Sequence, residues 1–101
     1  MHKIQPEIIE YVEFKALPNI TDEQVFNALK ATDAVLDSVK GYRRRIVAKH
    51  GDTFVEVVFW DSQEEATKGL EVFSNDERAA KLFELIDTGS VSIKYSNIVA
   101  L

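Results

Sequence analysis

The sequence predicts an α+β fold in which two helices pack on one face of a four-stranded antiparallel sheet. Three observations predict it. Hydrophobic periodicity places the elements in the order β-α-β-β-α-β. Each predicted helix begins at a hydroxyl residue that is followed three positions later by Gln or Glu. The 101 residues, 46% hydrophobic and 29% charged, suit one globular domain over residues 1–101.

The first half of the chain predicts a strand and then a helix. Residues 7–17 are rich in β-branched and aromatic types and partly alternate, which is typical of a strand. Thr21 and Gln24 have capping-box spacing, and apolar residues then recur every three or four positions, which predicts a helix over about residues 22–40. Gly41 follows as its expected C-cap.

The second half predicts two strands, a helix and a last strand. Residues 42–49 are basic, which suits an edge strand, and residues 50–52 form a hairpin turn before the apolar strand 54–60. Ser62 begins the next helix, whose apolar pattern is interrupted at residues 74–76 and continues to Ile86. We expect a turn over residues 87–90 and the fourth strand over residues 91–101.

This order is the ferredoxin-like arrangement, with the first and third strands central. We expect the wholly apolar side of the third strand, Val55, Val57 and Phe59, to meet the helices. The far face then carries Ile9, Tyr11, Phe54, Val58 and Trp60, mixed with Glu13, Lys15 and Glu56. A bulge would reverse the side of Trp60, so its face stays open. So large an apolar surface predicts a homodimer that packs sheet against sheet.

Composition excludes several classes of function. A net charge of −5 disfavours nucleic-acid binding, and the absence of cysteine removes disulfides and thiolate chemistry. His2 and His50 do not pair with carboxylates at metal-ligand spacing, and no cofactor motif is present, so we expect no metal and no cofactor. No signal peptide or membrane-spanning run is found, which predicts a soluble, cytoplasmic protein without a membrane partner.

A few side chains are candidates for function. Trp60, the only tryptophan, can form the wall of a pocket for a flat apolar ligand, or can simply fill the core or a dimer interface. Strand alternation sends Arg44 to one face and Arg43 and Arg45 to the other, so the three arginines do not form one patch. Glutamates in the central strands, Glu10, Glu13 and Glu56, are either general bases in a dry cleft or partners of nearby arginine and lysine.

The stretch V-V-F-W-D-S-Q-E-E-A, residues 57–66, resembles the antibiotic-biosynthesis-monooxygenase-like domains of the dimeric α+β-barrel superfamily. In both, an apolar strand ends in tryptophan, and a serine and a Glu-Ala pair open the next helix. Residues 39–45, V-K-G-Y-R-R-R, resemble the Pro-Gly segment of that group, with Lys40 in place of proline. Length and element order match over essentially the whole chain.

The resemblance implies a sheet-to-sheet homodimer and a pocket between sheet and helices, with Trp60 in the position of the pocket tryptophan. Members include cofactor-independent oxygenases of aromatic polyketides and haem-degrading enzymes. The latter use a first-strand asparagine and a second-helix histidine, which this chain lacks. The resemblance therefore implies a monooxygenase of flat aromatic or phenolic compounds. We predict that Trp60, Tyr11 and Arg44 line the site. The alternative is a non-catalytic ligand-binding or interaction module of the same fold.

Overall fold

The computed structural model describes residues 5–101. Its elements are β1 (Ile8–Ala16), α1 (Asp22–Ala31), α2 (Asp33–Asp37), β2 (Tyr42–His50), β3 (Thr53–Trp60), α3 (Gln63–Ser74), α4 (Glu77–Phe83) and β4 (Ile86–Asn97). The strands form one antiparallel sheet in the order β2-β3-β1-β4. The predicted α+β, ferredoxin-like fold, with β1 and β3 in the centre, is confirmed.

Local sequence signals set both helix starts as predicted. The Thr21 side chain accepts a hydrogen bond from the backbone N–H of Gln24, and the Gln24 side chain accepts one from the N–H of Thr21. The Ser62 hydroxyl likewise accepts from the N–H of Glu65. The prediction that Gly41 is the helix C-cap is wrong: α2 ends at Asp37 with Ser38 as its C-cap, and Gly41 lies in the turn before β2 at φ 87°, a conformation that glycine adopts without a steric penalty.

Each predicted helix is divided in two. The first breaks at Thr32, whose backbone N–H bonds to Leu29 O at 2.9 Å and whose hydroxyl bonds to the same carbonyl. This tighter turn ends α1 and reorients the chain into α2. The second breaks after Ser74, within the predicted interruption, and the Asp76 side chain caps α4 by accepting a hydrogen bond from the N–H of Arg78.

The predicted start of the last strand is wrong. Ile86, expected in a helix, already pairs with Ala16, and Asp87 pairs with Lys15. The polar residues and the glycine at positions 87–90 predict a turn, but these residues belong to β4. The register shifts between Glu13 and Lys15, where the Ser90 hydroxyl accepts a hydrogen bond from the N–H of Lys15 at 2.8 Å. The polar residues therefore serve a β-bulge rather than a turn.

The prediction for the two faces of β3 is also wrong. Phe54, Glu56, Val58 and Trp60 are buried under the helices, whereas Val55, Val57 and Phe59 are half-buried on the opposite face. The register fixes this, because Phe14 of the buried face of β1 pairs with Phe54. The core therefore contains two glutamates, and the more uniformly apolar side of β3 faces away from the helices.

The edge strand β2 contains one extra residue. Tyr42 pairs with Trp60 and Arg44 with Phe59, so Arg43 has no partner in the β2–β3 ladder. Its guanidinium instead binds Asp61, the residue after β3, through two hydrogen bonds. The bulge places Arg44 on the face away from the helices and Arg45, paired with Val58, on the helix face. The predicted separation of Arg44 from Arg45 is confirmed.

Candidate functional site

A pocket of about 90 Å³ lies between the sheet and the helices α3 and α4. Its floor is formed by Val12 and Phe14 of β1 together with Val58 of β3. The helices contribute Gly69, Leu70, Phe73, Leu82 and Phe83. The pocket opens beside the edge strand β4, where Val91 and Ile93 line it and are 40% and 38% exposed. The surface is mostly apolar, and its charged groups are Glu10, Glu56 and Arg45.

Trp60 and Glu10 form a buried pair at one end of the pocket. The indole N–H donates to Glu10 Oε1 at 2.9 Å, and both residues are buried. The indole fits beneath α3 because residue 69 is glycine: a Cβ there would lie 2.2 Å from Trp60 Cη2. Within residues 5–101, this indole N–H is the only hydrogen-bond donor to the Glu10 side chain. One carboxylate oxygen of Glu10 thus remains without a donor in the described chain.

The second carboxylate, Glu56, belongs to a network around Arg45. Arg45 Nη1 donates to Glu56 Oε1 at 3.2 Å and to the Thr32 hydroxyl at 3.0 Å. Arg45 Nη2 donates to the carbonyl of Leu29 at 2.8 Å and also to the Asp33 carboxylate. The arginine therefore caps the C-terminal end of α1 and balances one buried glutamate at the same time.

Both buried glutamates have raised pKa values, because burial disfavours the charged carboxylate. For Glu10, burial has the largest effect, the indole hydrogen bond opposes it and the negative charge of Glu56 adds to it. For Glu56, burial raises the pKa and Arg45 opposes the rise. The two groups share a sheet face as diagonal neighbours, since Glu56 pairs with Val12. A carboxylate with a raised pKa is a stronger proton acceptor than an ordinary one.

No protein-family model and no curated protein sequence matches the chain. Solved structures do match. SnoaB of Streptomyces nogalater, described as a cofactor-independent oxygenase, has a TM-score of 0.71 at 14% identity over 95% of this chain and 94% of its own. A proposed antibiotic biosynthesis monooxygenase from Bordetella bronchiseptica has a TM-score of 0.80 at 11% identity, covering 95% and 100%.

The chain has the fold of the antibiotic-biosynthesis-monooxygenase-like proteins. A third structural neighbour, described as a dimeric ferredoxin-like protein from an uncultured marine organism, has a TM-score of 0.67 at 15% identity over 96% of this chain and 91% of its own. At these identities, the likeness shows the fold alone, and the chemistry of the site has to be inferred from the residues of this chain. The resemblance seen around Trp60 in the sequence is thus matched by the structure at the level of the fold.

The structure separates the three predicted site residues of this monooxygenase-like fold. Trp60 lines the pocket, although it is almost wholly buried. Tyr11 pairs with Val57 and Arg44 pairs with Phe59, both on the sheet face that points away from the helices. Tyr11 and Arg44 are therefore not part of this pocket, and any ligand in it contacts Trp60 without them.

The sequence indicated Glu10 as one of three candidate glutamates, but it did not place Arg45 in the site. A signal for Glu10 was present, because it alternates with Ile8, Val12 and Phe14 on the apolar side of β1. Arg45 carries no comparable signal, since the bulge at Arg43 decides which arginine turns inward. Of the two interpretations of the glutamates, pairing with arginine holds for Glu56, whereas Glu10 pairs with an indole.

Two further properties bear on the kind of site. Among residues 5–101, no group of three or more His, Cys, Asp and Glu side chains is arranged to hold a metal ion. Within that same range, no helix is long and apolar enough to cross a membrane. The charged and hydrogen-bonding side chains that line the pocket are those of Glu10, Glu56, Trp60 and Arg45.

Proposed function

We propose that this protein binds a small aromatic or phenolic molecule in the pocket beneath α3 and α4, and that it acts on it as a cofactor-independent monooxygenase. The observation that carries the proposal is Glu10, a buried carboxylate with a raised pKa whose one donor within the described chain is the Trp60 indole. The apolar walls would hold a ring, and the free oxygen of Glu10 would accept a hydrogen bond from its hydroxyl group.

The chemistry follows from that arrangement. Glu10 would take a proton from a phenolic O–H or an activated C–H, leaving an electron-rich anion that can react with dioxygen. In the overall reaction, a CH₂ group and O₂ give a carbonyl group and water, so that one oxygen atom enters the product. Positioning of the substrate would supply much of the rate. The description of SnoaB as a cofactor-independent oxygenase supports this reaction class.

The size of the pocket limits the ligand. An apolar cavity of about 150 Å³ binds benzene, whereas this pocket measures about 90 Å³ and opens beside β4. A single ring would therefore fill the pocket and extend into its mouth between Phe83 and Ile93. The same small volume favours the second candidate function, non-catalytic binding of this ligand class.

Fluorescence of Trp60, the only tryptophan, offers a direct test of binding. Titration with phenol and with 1-naphthol should change its emission in the wild type. Oxygen-electrode measurements with a panel of phenols, naphthols and anthrones then separate the two functions. Oxygen uptake that is lost in Glu10→Gln supports the monooxygenase, whereas binding without uptake supports the non-catalytic alternative.

The matched control is Glu13→Gln. Glu13 lies on the same strand as Glu10 but faces away from the helices, opposite Val55. Binding and oxygen uptake should be unchanged in this variant. An unaltered Trp60 emission at millimolar concentrations of every ring compound would contradict both functions.

We also propose that the subunits form a homodimer through the sheet face that the helices leave uncovered. This face carries the half-buried side chains of Ile9, Tyr11, Val57 and Phe59, with Ile46 42% exposed. A contiguous apolar surface of this kind usually marks an interface. The structural neighbour described as a dimeric ferredoxin-like protein supports the same arrangement.

Val57 lies at the centre of this face, opposite both Tyr11 and Ile46. In sedimentation-velocity experiments, the wild type should be a dimer at micromolar concentration and Val57→Lys should be a monomer. Val72→Lys, on an exposed position of α3, is the control and should remain dimeric. A wild-type monomer at that concentration would refute the dimer.

A further inference from the structure

The terminal nitrogens of Arg45 and the indole N–H of Trp60, which line the pocket, are already engaged by the protein. Arg45 bonds to Glu56, Thr32, Leu29 O and Asp33 through its two terminal nitrogens. The indole N–H of Trp60 bonds to Glu10. A ligand that needs to accept hydrogen bonds therefore finds neither the terminal nitrogens of Arg45 nor the indole N–H of Trp60 free.

The charges around the pocket are also unequal. Glu10 and Glu56 line it directly, and Arg45 is the one cationic side chain in its lining. That cation is shared between Glu56 and Asp33. Glu10 has no cationic partner within residues 5–101. An anionic ligand would thus be placed beside at least one uncompensated carboxylate in a poorly solvated space, where charge repulsion is screened less than in water.

We infer that Glu10 and Glu56 determine the charge selectivity of this pocket, which accepts uncharged hydrogen-bond donors and excludes carboxylate forms of the same ring. This inference rests on the proposed binding of aromatic molecules in the pocket, and it narrows their class. The free Glu10 oxygen is the attractive element for a donor. The same oxygen, together with Glu56, is the repulsive element for an anion, so one pair of side chains supplies both parts of the specificity.

Benzamide and benzoate test the inference, because the two molecules have nearly the same shape and differ in charge and in donor capacity. Dissociation constants are measured by Trp60 fluorescence at pH 7.5, with phenol as the reference ligand. We expect phenol and benzamide to bind, and benzoate to bind at least about tenfold more weakly. A factor of ten in the dissociation constant corresponds to ~1.4 kcal/mol, and the repulsion between like charges a few ångströms apart exceeds this at an effective dielectric constant of about 20.

Glu10→Gln keeps an acceptor for the indole and removes the charge. In this variant the preference for benzamide over benzoate should fall to within about threefold. Glu56→Gln should reduce it partly, and Glu13→Gln should leave it at the wild-type value. Far-ultraviolet circular dichroism confirms that each variant is folded.

The outcomes separate the two proposals. If benzoate binds as tightly as benzamide, or if the preference is the same in the wild type, Glu10→Gln and Glu56→Gln, the selectivity inference is wrong while the aromatic pocket stands. If phenol, benzamide and benzoate all fail to bind, the pocket proposal is wrong and the selectivity falls with it.

Discussion

The contact between Gly69 and Trp60 allows a quantitative test of how the pocket wall is built. Alanine at position 69 would place a Cβ 2.2 Å from Trp60 Cη2 and 2.8 Å from Cζ2. Carbon atoms in van der Waals contact are about 3.5–4.0 Å apart. Either α3 or the indole would therefore have to move by more than about 1 Å. The indole has little freedom to move, because it is buried and hydrogen-bonded to Glu10 at 2.9 Å.

Two opposing effects determine how much Gly69→Ala changes the free energy of unfolding. Overpacking of a core typically costs about 1–3 kcal/mol. Replacing glycine by alanine within a helix contributes about 0.5–1 kcal/mol in the favourable direction. We therefore expect Gly69→Ala to lower the free energy of unfolding by about 1–2 kcal/mol. For a domain of this size, each 1 kcal/mol corresponds to roughly 4–8 °C in Tm.

Denaturant unfolding followed by far-ultraviolet circular dichroism measures the effect. Gly89→Ala is the control, because a Cβ there would lie 3.5 Å from Asp87 Oδ1, an ordinary contact. In the Trp60→Phe background, the smaller ring leaves room for the new methyl group. Gly69→Ala should then be close to neutral or stabilising, which gives a coupling energy between the two positions. Equal stabilities of Gly69→Ala and Gly89→Ala, or the same cost in both Trp60 backgrounds, would refute the reasoning.

Three further predictions concern the buried charges and a helix cap. Burial raises the pKa of Glu10 above its ordinary value of 4.5, so the folded protein binds the carboxyl proton more tightly than the unfolded chain does. The resulting stability is present below about pH 4.5 and is lost as the pH rises through the raised pKa. Tm values between pH 4 and 8 should therefore fall more for the wild type than for Glu10→Gln, and parallel profiles would contradict this. Arg45→Met leaves Glu56 buried without its counter-charge and should cost about 3–5 kcal/mol in urea unfolding, whereas a similar loss in the exposed control Arg44→Met would point to a non-specific effect. Thr21→Ala removes the capping box of α1 and should cost about 1 kcal/mol, and an unchanged Tm would show that the cap does not stabilise the fold.

Much of the fold could be predicted from local signals. The capping box at Thr21 and the hydroxyl cap at Ser62 fix two helix starts. Alternation fixes the two faces of β1. These features depend on residues a few positions apart, whose interactions are the same in most tertiary contexts. The element order then restricts the topology to a small number of sheets, and the ferredoxin-like sheet is the one observed.

The faces of β3 could not be predicted in the same way. Polarity alone assigns the side with Glu56 to solvent, because a buried charge is costly. That cost is offset by Arg45, which approaches Glu56 from the neighbouring strand, and the buried Glu10 is similarly matched by an indole 50 positions away in the chain. Such compensation depends on register and on a bulge, neither of which a single sequence specifies. The resemblance implied a pocket between sheet and helices, but Glu56 was not expected in it, because polarity assigned that glutamate to the far face.

The bulge at Arg43 has a consequence for chain length. Arg43 is outside the β2–β3 ladder, and its neighbours Tyr42 and Arg44 pair with Trp60 and Phe59, which are themselves adjacent. A chain that lacked this single residue could keep every other β2–β3 pair in register and would still direct Arg45 inward. What it would lose is the bond between Arg43 and Asp61. A one-residue deletion at this point is thus compatible with an unchanged buried arginine, and sequence alignments of related chains should allow a one-residue gap here.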